Sequence, residues 1–166
     1  MSSRVRQSSA MFERLWIDET VEVDAEPTAI HALLIDIDRW PTWVPGLRSL
    51  RRVRTKPLRA DRRFGMLLSM PPLPTFWVPC QLYVSRPDFI EWGGHGPRAA
   101  IRHRFELTPL PSGKTRVRHV EYSTNWLALI LIPLEGVFRR HDERWTKALA
   151  AHFAVEAESP AQPAAA

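Results

Sequence analysis

Two histidines and a glutamate are the residues of this sequence whose types and spacing could do chemistry. His103 lies on one predicted strand, and His119 and Glu121 lie two positions apart on the next. Side chains two positions apart on a strand share one face, so His119 and Glu121 point the same way. An imidazole beside a carboxylate suits proton transfer, because burial and pairing move both groups toward neutral pH.

The turn between these two strands predicts which residues face each other. Residues 110–114, Leu-Pro-Ser-Gly-Lys, fit a type I turn whose glycine takes positive φ and forms a G1 bulge. Counting back from this turn pairs His103 with Glu121 and Phe105 with His119. A shift by one residue would exchange the two faces. The same inner face carries Ile101, Leu107 and Val117, whereas the outer face carries Arg102, Arg104, Glu106, Arg116 and Arg118.

Several interpretations of the His/Glu group stay open from the residues alone. His103 could hydrogen-bond Glu121 as a buried structural pair, since a buried carboxylate is costly without a partner. The pair could instead anchor the polar group of an apolar ligand, or act as general acid and base. His103, His119 and Glu121 could bind a metal ion, but no spacing motif supports one, so we predict neither metal nor cofactor. We expect His141 in the core or on a cavity wall.

A long amphipathic helix is predicted near the end of the chain, after an apolar run at residues 126–132 and Pro133. Proline suits the first helical turn, where its missing N–H costs nothing. Recurrence at three- and four-residue steps defines a buried face with Leu134, Phe138, His141, Trp145, Ala148, Leu149, His152 and Phe153. The solvent face is predicted to carry Arg139, Arg140, Asp142, Glu143, Arg144 and Lys147.

Short extended runs precede this helix and cannot bury their own apolar faces. Alternation predicts strands at residues 15–24, 47–55, 62–70, 76–86, 89–95, 99–110 and 114–124. A helix opens at Pro27, and a second short helix starts near Asp38. We therefore predict an α+β fold, in which a curved seven-stranded antiparallel sheet surrounds the long C-terminal helix and two short helices follow the first strand.

Length and composition favour one globular domain. The chain has 166 residues, 45% of them hydrophobic, which allows a sizeable core. We predict a flexible N-terminus over residues 1–12, one domain over residues 13–157 and a flexible Pro/Ala-rich tail over residues 158–166. The single cysteine, Cys80, excludes an intrachain disulfide framework. Residues 1–10 lack the apolar region of a secretory signal, so a cytoplasmic location is expected.

The net charge of +5 is concentrated between residues 48 and 63. This stretch carries Arg48, Arg51, Arg52, Arg54, Lys56, Arg59, Arg62 and Arg63. Charge runs are usually solvated faces, but this one would also favour peripheral contact with an anionic membrane. No nucleic-acid-binding motif is present, so no specific nucleic-acid partner is predicted. A non-specific role on RNA or another anionic surface would show steep salt dependence.

Three passages together resemble the START-like superfamily, also called SRPBCC or the polyketide cyclase/dehydrase and lipid-transport family. Residues 21–27 followed by residues 38–43 look like its first strand and its helix pair ending in a tryptophan corner. Residues 103–107 and 113–122 look like its histidine-phenylalanine strand and its histidine-x-glutamate strand, and the long helix follows. The family's usual glycine after the glutamate strand is absent here.

The resemblance implies a helix-grip fold with a cavity between sheet and long helix, which in various members takes sterols, lipids, polyketides, quinones or plant hormones. Members include carriers, cyclases and aromatases, so the fold does not fix the function. We expect binding of a small hydrophobic ligand (lipid, polyketide or quinone-like), with transport as an extension. The alternative is a polyketide cyclase, aromatase or dehydratase that uses His103 and Glu121 as its acid–base pair.

The predicted ligand-binding residues fall on the inner face of the sheet and the buried face of the helix. They are Met66, Leu68, Cys80, Leu82, Trp92, Ile101, His103, Phe105, His119, Glu121, Phe138, His141, Trp145 and Leu149. The apolar run at residues 126–132 is expected at the mouth of the cavity, where it could act as a lid.

Overall fold

Seven antiparallel strands form one sheet in the order β1-β7-β6-β5-β4-β3-β2. The structure is a computed structural model that describes residues 14–51, 60–95, 101–123 and 126–158. The strands are β1 (Arg14–Val23), β2 (Leu47–Arg51), β3 (Arg63–Leu68), β4 (Phe76–Arg86), β5 (Phe89–Gly94), β6 (Ile101–Pro109) and β7 (Thr115–Ser123). Bulges interrupt the pairing between Leu15 and Ile17 and between Leu82 and Val84. Bulges bend strands, which helps the sheet to curve around the helix.

Two short helices follow β1, and a long helix follows β7. Helix α1 is Pro27–Ile35, with its proline in the first turn, and a 3₁₀ turn at Ile37–Arg39 leads into α2, Trp40–Trp43. After β7, a 3₁₀ segment at Trp126–Leu134 leads into α3, Glu135–Glu158. Within the described ranges, no helix combines the length and the apolar character needed to cross a membrane.

The core between the sheet and α3 is organised around three tryptophans. Trp40 of α2, Trp92 of β5 and Trp145 of α3 have ring centroids 5.2 to 5.4 Å apart, and all three are buried. Tilted and edge-on aromatic pairs stabilise by about 0.5–1.5 kcal/mol each beyond their buried area. This contact ties both helices to the sheet and therefore fixes the height of α3 above β5, β6 and β7.

The predicted fold class is confirmed, and so is the register of the last hairpin. His103 pairs with Glu121 and Phe105 with His119, as counted from the turn. Gly113 takes a φ of +81°, and the Leu110 N–H donates to the Lys114 carbonyl over 2.8 Å. Several predictions lie outside the described residues: the flexible N-terminus at 1–12, the tail after Glu158, the end of the second strand, and the basic residues Arg52, Arg54, Lys56 and Arg59.

Candidate functional site

A cavity of about 810 Å³ lies between the inner face of the sheet and α3. Strands β3 to β7, the 3₁₀ segment at Trp126–Leu134 and α3 supply its walls. Its apolar lining consists of Met66, Leu68, Met70, Leu73, Phe76, Val78, Pro79, Cys80, Trp92, Gly94, Ile101, Leu131, Leu134, Phe138 and Trp145. Its polar lining consists of His95, His103, Glu121, His141 and Asp142.

The structure places ten of the fourteen predicted ligand-binding residues on this cavity wall. They are Met66, Leu68, Cys80, Trp92, Ile101, His103, Glu121, Phe138, His141 and Trp145. The other four, Leu82, Phe105, His119 and Leu149, are buried in the packed core outside the wall. His119 is nevertheless linked to the cavity wall, because its imidazole is hydrogen-bonded to that of His103.

Three side chains and one main-chain carbonyl form a continuous hydrogen-bonded chain from the cavity wall into the core. His103 Nδ1 lies 3.2 Å from His119 Nε2, and His119 Nδ1 lies 3.1 Å from Thr146 Oγ1. The Thr146 hydroxyl in turn donates to the main-chain carbonyl of Asp142 over 3.0 Å. A helical hydroxyl commonly donates to the carbonyl four residues earlier, so this end of the chain is held by α3 itself.

The single proton of the Thr146 hydroxyl sets the direction of this chain. Because that proton goes to a carbonyl, the hydroxyl oxygen must accept from His119 Nδ1–H. A neutral His119 then accepts at Nε2, so His103 donates from Nδ1. His103 therefore keeps a lone pair on its other nitrogen, Nε2, and this residue lines the cavity. The assignment makes both imidazoles neutral Nδ1–H tautomers.

Burial keeps three histidines around the cavity neutral. Burial, followed by the neighbouring imidazoles, holds the pKa of His103 well below its usual range. Burial lowers the pKa of His119 to about 3, with a smaller contribution from His141. Burial and then the nearby Arg144 charge lower the pKa of His141 to about 4. Imidazolium is disfavoured in a low-dielectric surrounding, so at neutral pH these rings act as uncharged donors and acceptors.

Two buried carboxyl groups meet beside the histidines. Glu121 of β7 and Asp142 of α3 are each 1% exposed. Burial raises the pKa of Glu121, and burial together with the adjacent Glu121 carboxylate raises the pKa of Asp142 well above its usual range. Two like charges this close do not both ionise in a buried site. The pair therefore holds at least one proton at neutral pH, and the larger rise in pKa places that proton on Asp142.

The expected hydrogen bond between His103 and Glu121 is not formed. Their nearest atoms, His103 Nδ1 and Glu121 Oε2, are 3.6 Å apart, which is too long for a hydrogen bond. His103 bonds to His119 instead, and the Glu121 carboxyl group lies beside that of Asp142. Because His103 is neutral, the contact is also not an ion pair.

Asp142 is a site residue that sequence reasoning missed, and its placement on the solvent face of α3 was wrong. It is buried and lines the cavity. A usable signal was present, since Asp142 lies four residues after Phe138 and three before Trp145, both on the predicted buried face. Asp142 was assigned to the solvent face because its charge was given more weight than its spacing. Thr146, four residues further along, was also missed, because its hydroxyl made it look like a polar surface residue.

We call His103, His119, Glu121, Asp142 and Thr146 the polar cluster. It offers the cavity a lone pair on His103 and an acidic proton shared by Glu121 and Asp142, within apolar walls. Such an arrangement can orient a polar group of a ligand or exchange a proton with it. His103, His119 and Asp142 also place one donor atom each within 4.8 Å of one another, a grouping compatible with binding of a metal ion.

No family model matches the chain, and no curated protein matches it in sequence. Solved structures do match it in shape. A START superfamily protein from Mycobacterium smegmatis is 16% identical over 84% of this chain and 97% of that chain, with a TM-score of 0.67. The ZhuI aromatase/cyclase from Streptomyces sp. R1128 is 11% identical over 87% and 96%, with a TM-score of 0.71.

A third match widens the range of related structures. A point mutant of Thalictrum flavum norcoclaurine synthase, solved with a transition state analogue, is 12% identical over 92% of this chain and 100% of that chain, with a TM-score of 0.66. Each alignment spans nearly the whole of both chains, so the agreement concerns the entire architecture. At such identities the agreement speaks for shape alone. The chain has the START-like, or SRPBCC-like, helix-grip fold.

Proposed function

We propose that the protein binds a small hydrophobic ligand, of lipid, polyketide or quinone-like character, in the cavity between the sheet and α3. The observation that carries this proposal is an apolar cavity of about 810 Å³ that has a polar cluster in its wall. Ligand sites in proteins are typically about 300–1,000 Å³ in volume and mostly apolar, with a few polar groups that fix orientation.

The chemistry of the wall narrows the class of ligand. Among the described residues, the wall carries neither lysine nor arginine, and the lining histidines His103 and His141 are held neutral by burial. A buried anionic headgroup would therefore lack a cation to pair with, and leaving it unpaired is costly. We infer that the enclosed part of the ligand is uncharged and carries a hydroxyl, phenol or carbonyl. A hydroxyl would donate to His103 Nε2.

The 3₁₀ segment at Trp126–Leu134 supports a role in transport. Leu131 and Leu134 line the cavity, whereas Trp126, Leu129 and Ile130 are 57%, 50% and 66% exposed. One short segment thus joins the cavity wall to an apolar outer surface. We propose that it acts as the lid and contacts the membrane or donor from which the ligand comes. The basic stretch at residues 48–63 would add attraction to anionic lipid.

Native mass spectrometry of the freshly purified protein, followed by solvent extraction, tests ligand binding directly. We expect a stoichiometric, uncharged apolar compound. The fraction of protein with bound ligand should fall in Val78→Trp, because Val78 lines the cavity and the indole ring would occupy part of the cavity volume. Val84→Trp is the matched control, since Val84 lies on the same strand but off the wall. Equal ligand content in the two folded variants would contradict the proposed location.

A second candidate function, proton-transfer catalysis of the cyclase, aromatase or dehydratase type, is favoured by the carboxyl pair. Glu121 and Asp142 keep a proton where an isolated carboxyl would be ionised, and a neutral imidazole lies 3.6 Å from Glu121. A general acid needs its pKa near the working pH. Unchanged ligand affinity with lost turnover in Glu121→Gln would favour catalysis, whereas lost affinity alone would favour binding.

A further inference from the structure

We propose that the polar cluster is a binding site for one divalent transition-metal ion, held by His103 Nδ1, His119 Nε2 and the carboxylates of Asp142 and Glu121. One nitrogen of each histidine and one Asp142 oxygen already lie within 4.8 Å of one another, and Glu121 Oε2 lies 3.6 Å from His103 Nδ1. The residues come from three elements, β6, β7 and α3. The site overlaps the proposed anchor for the apolar ligand, but its donor atoms all belong to the protein, so metal binding can be tested without that ligand.

The distance between the two imidazoles fits shared coordination. Metal–nitrogen bonds of about 2.0–2.1 Å place two ligand nitrogens about 2.9 Å apart at right angles and about 3.4 Å apart at a tetrahedral angle. The observed separation of His103 Nδ1 and His119 Nε2 is 3.2 Å, between these limits. Without an ion, the same separation is bridged by one proton. An ion would take the place of that proton.

Thr146 holds His119 in the tautomer that a metal ligand requires. His119 Nδ1–H donates to Thr146 Oγ1 over 3.1 Å, so the lone pair of Nε2 points toward His103 and the carboxyl groups. Histidine ligands commonly donate their second ring N–H to an oxygen in this way, which orients the ring. His103 must move its proton from Nδ1 to Nε2, and the Glu121–Asp142 pair must release the proton that it holds.

A second observation, independent of the histidine geometry, is that the buried carboxylate oxygens lack hydrogen-bond donors in the described part of the chain. Glu121 Oε1, Asp142 Oδ1 and Asp142 Oδ2 are buried and receive no hydrogen bond from an N–H or hydroxyl group of the described residues. One proton shared by the pair provides a single donor for these oxygens, and an unsatisfied buried carboxylate is costly. A divalent ion would coordinate several of these oxygens and neutralise both carboxylates at once.

The donor set indicates the class of ion. Two imidazoles with carboxylate oxygens suit Zn²⁺, Fe²⁺ or Co²⁺, whereas Mg²⁺ and Ca²⁺ prefer oxygen alone. Because His103, Glu121 and Asp142 all line the cavity, the remaining coordination positions of the ion would be open to the cavity. The site would therefore resemble an open metal centre more than a closed structural one.

Titration of the chelator-treated, full-length protein with Co²⁺ and Zn²⁺ tests the proposal without any apolar ligand. Isothermal calorimetry should give one ion per chain, and Co²⁺ should develop visible absorption bands characteristic of nitrogen ligands. Asp142→Asn should weaken binding at least about 100-fold, since removal of mere outer-shell partners already costs about 10–100-fold. Glu143→Gln, at the adjacent position of α3, is the matched control and should bind as wild type.

Thr146→Val provides a second readout if Asp142→Asn fails to fold. This variant keeps the volume of the side chain but removes the acceptor for His119 Nδ1–H, so metal affinity should fall about 10–100-fold with the fold intact. A merely structural hydroxyl would leave metal affinity unchanged. The proposal is overturned if the wild type binds no stoichiometric ion, or if folded Asp142→Asn and Thr146→Val bind Co²⁺ as tightly as Glu143→Gln.

Discussion

Replacing His119 is predicted to reduce the acid sensitivity of the fold. The imidazole is fully buried, and burial lowers its pKa to about 3. In the unfolded chain the same group binds a proton below about pH 6.5. Acid therefore favours the unfolded state through this residue, because the folded state must exclude the proton.

The sign and size of the effect follow from proton linkage. A histidine whose folded pKa is depressed contributes stability that is fully present above pH 6.5 and is lost as the pH falls toward 3. Each pH unit within that window costs about 1.36 kcal/mol per group. At pH 5.0, about 1.5 units below the unfolded pKa, His119 should cost the fold about 2 kcal/mol.

Urea unfolding, followed by tryptophan fluorescence in the presence of EDTA, measures this difference. The free energy of unfolding of wild type should fall about 2 kcal/mol more between pH 7.5 and 5.0 than that of His119→Gln. The variant is expected to be less stable at both values, so the comparison concerns only the two slopes. His103, Glu121 and Asp142 titrate in both proteins, and their contributions cancel to first order.

An internal control lies at higher pH. Between pH 7.5 and 8.5 neither state binds a proton at His119, so wild type and His119→Gln should show parallel stability. Parallel curves from pH 7.5 down to 5.0 as well would refute the assignment of His119 as a ring that stays neutral in the folded protein.

Three further outcomes are expected from other parts of the core. Trp145→Ala should lower the free energy of unfolding by about 3–5 kcal/mol, measured in urea, because this ring is buried at the junction of helix and sheet. Gly93→Ala should lower the melting temperature, since its Cβ would overlap the Ile101 carbonyl oxygen. Gly136→Ala should raise the melting temperature slightly, since its Cβ would meet only the flexible end of a side chain, at 3.6 Å. Cys80 should resist a thiol-specific chromogenic reagent until the protein unfolds, because it is buried and burial raises the pKa of its thiol.

The last hairpin shows how far local rules reach. The turn residues at 110–114 specify a loop geometry, and strand alternation then assigns every residue of both strands to one face. That reasoning predicted that His103 faces Glu121, which the structure confirms. The fold class was also accessible, because seven short strands and one long amphipathic helix leave few ways to bury their apolar faces.

Hydrogen-bond partners were not accessible from the register. His103 faces Glu121 directly but bonds to His119, its diagonal neighbour on β7. Diagonal positions lie within reach of long or aromatic side chains, and the choice between partners depends on ring rotation. The position of α3 decides it, since Thr146 draws His119 Nδ1 toward the helix and leaves Nε2 for His103.

Asp142 marks the limit of helical periodicity as a guide. Its spacing from Phe138 and Trp145 predicts the buried face, whereas its charge predicts solvent. Asp142 lies on the buried face, as its spacing predicts, because Glu121 on β7 is close enough to share a proton with it. That partner lies 21 positions away in sequence, so only the folded sheet and helix bring the two together.

The fold does not require the polar cluster, and burying these polar groups lowers the stability of the protein. Buried polar or ionic groups of this kind can often be replaced by apolar residues of similar volume at no loss, or with a gain of about 1–4 kcal/mol. The rest of the helix–sheet interface is indeed packed with apolar and aromatic side chains. His103, Glu121 and Asp142 moreover line the cavity. Their position is therefore better accounted for by the proposed functions, binding of an apolar ligand with a polar end or of a metal ion, than by the needs of folding.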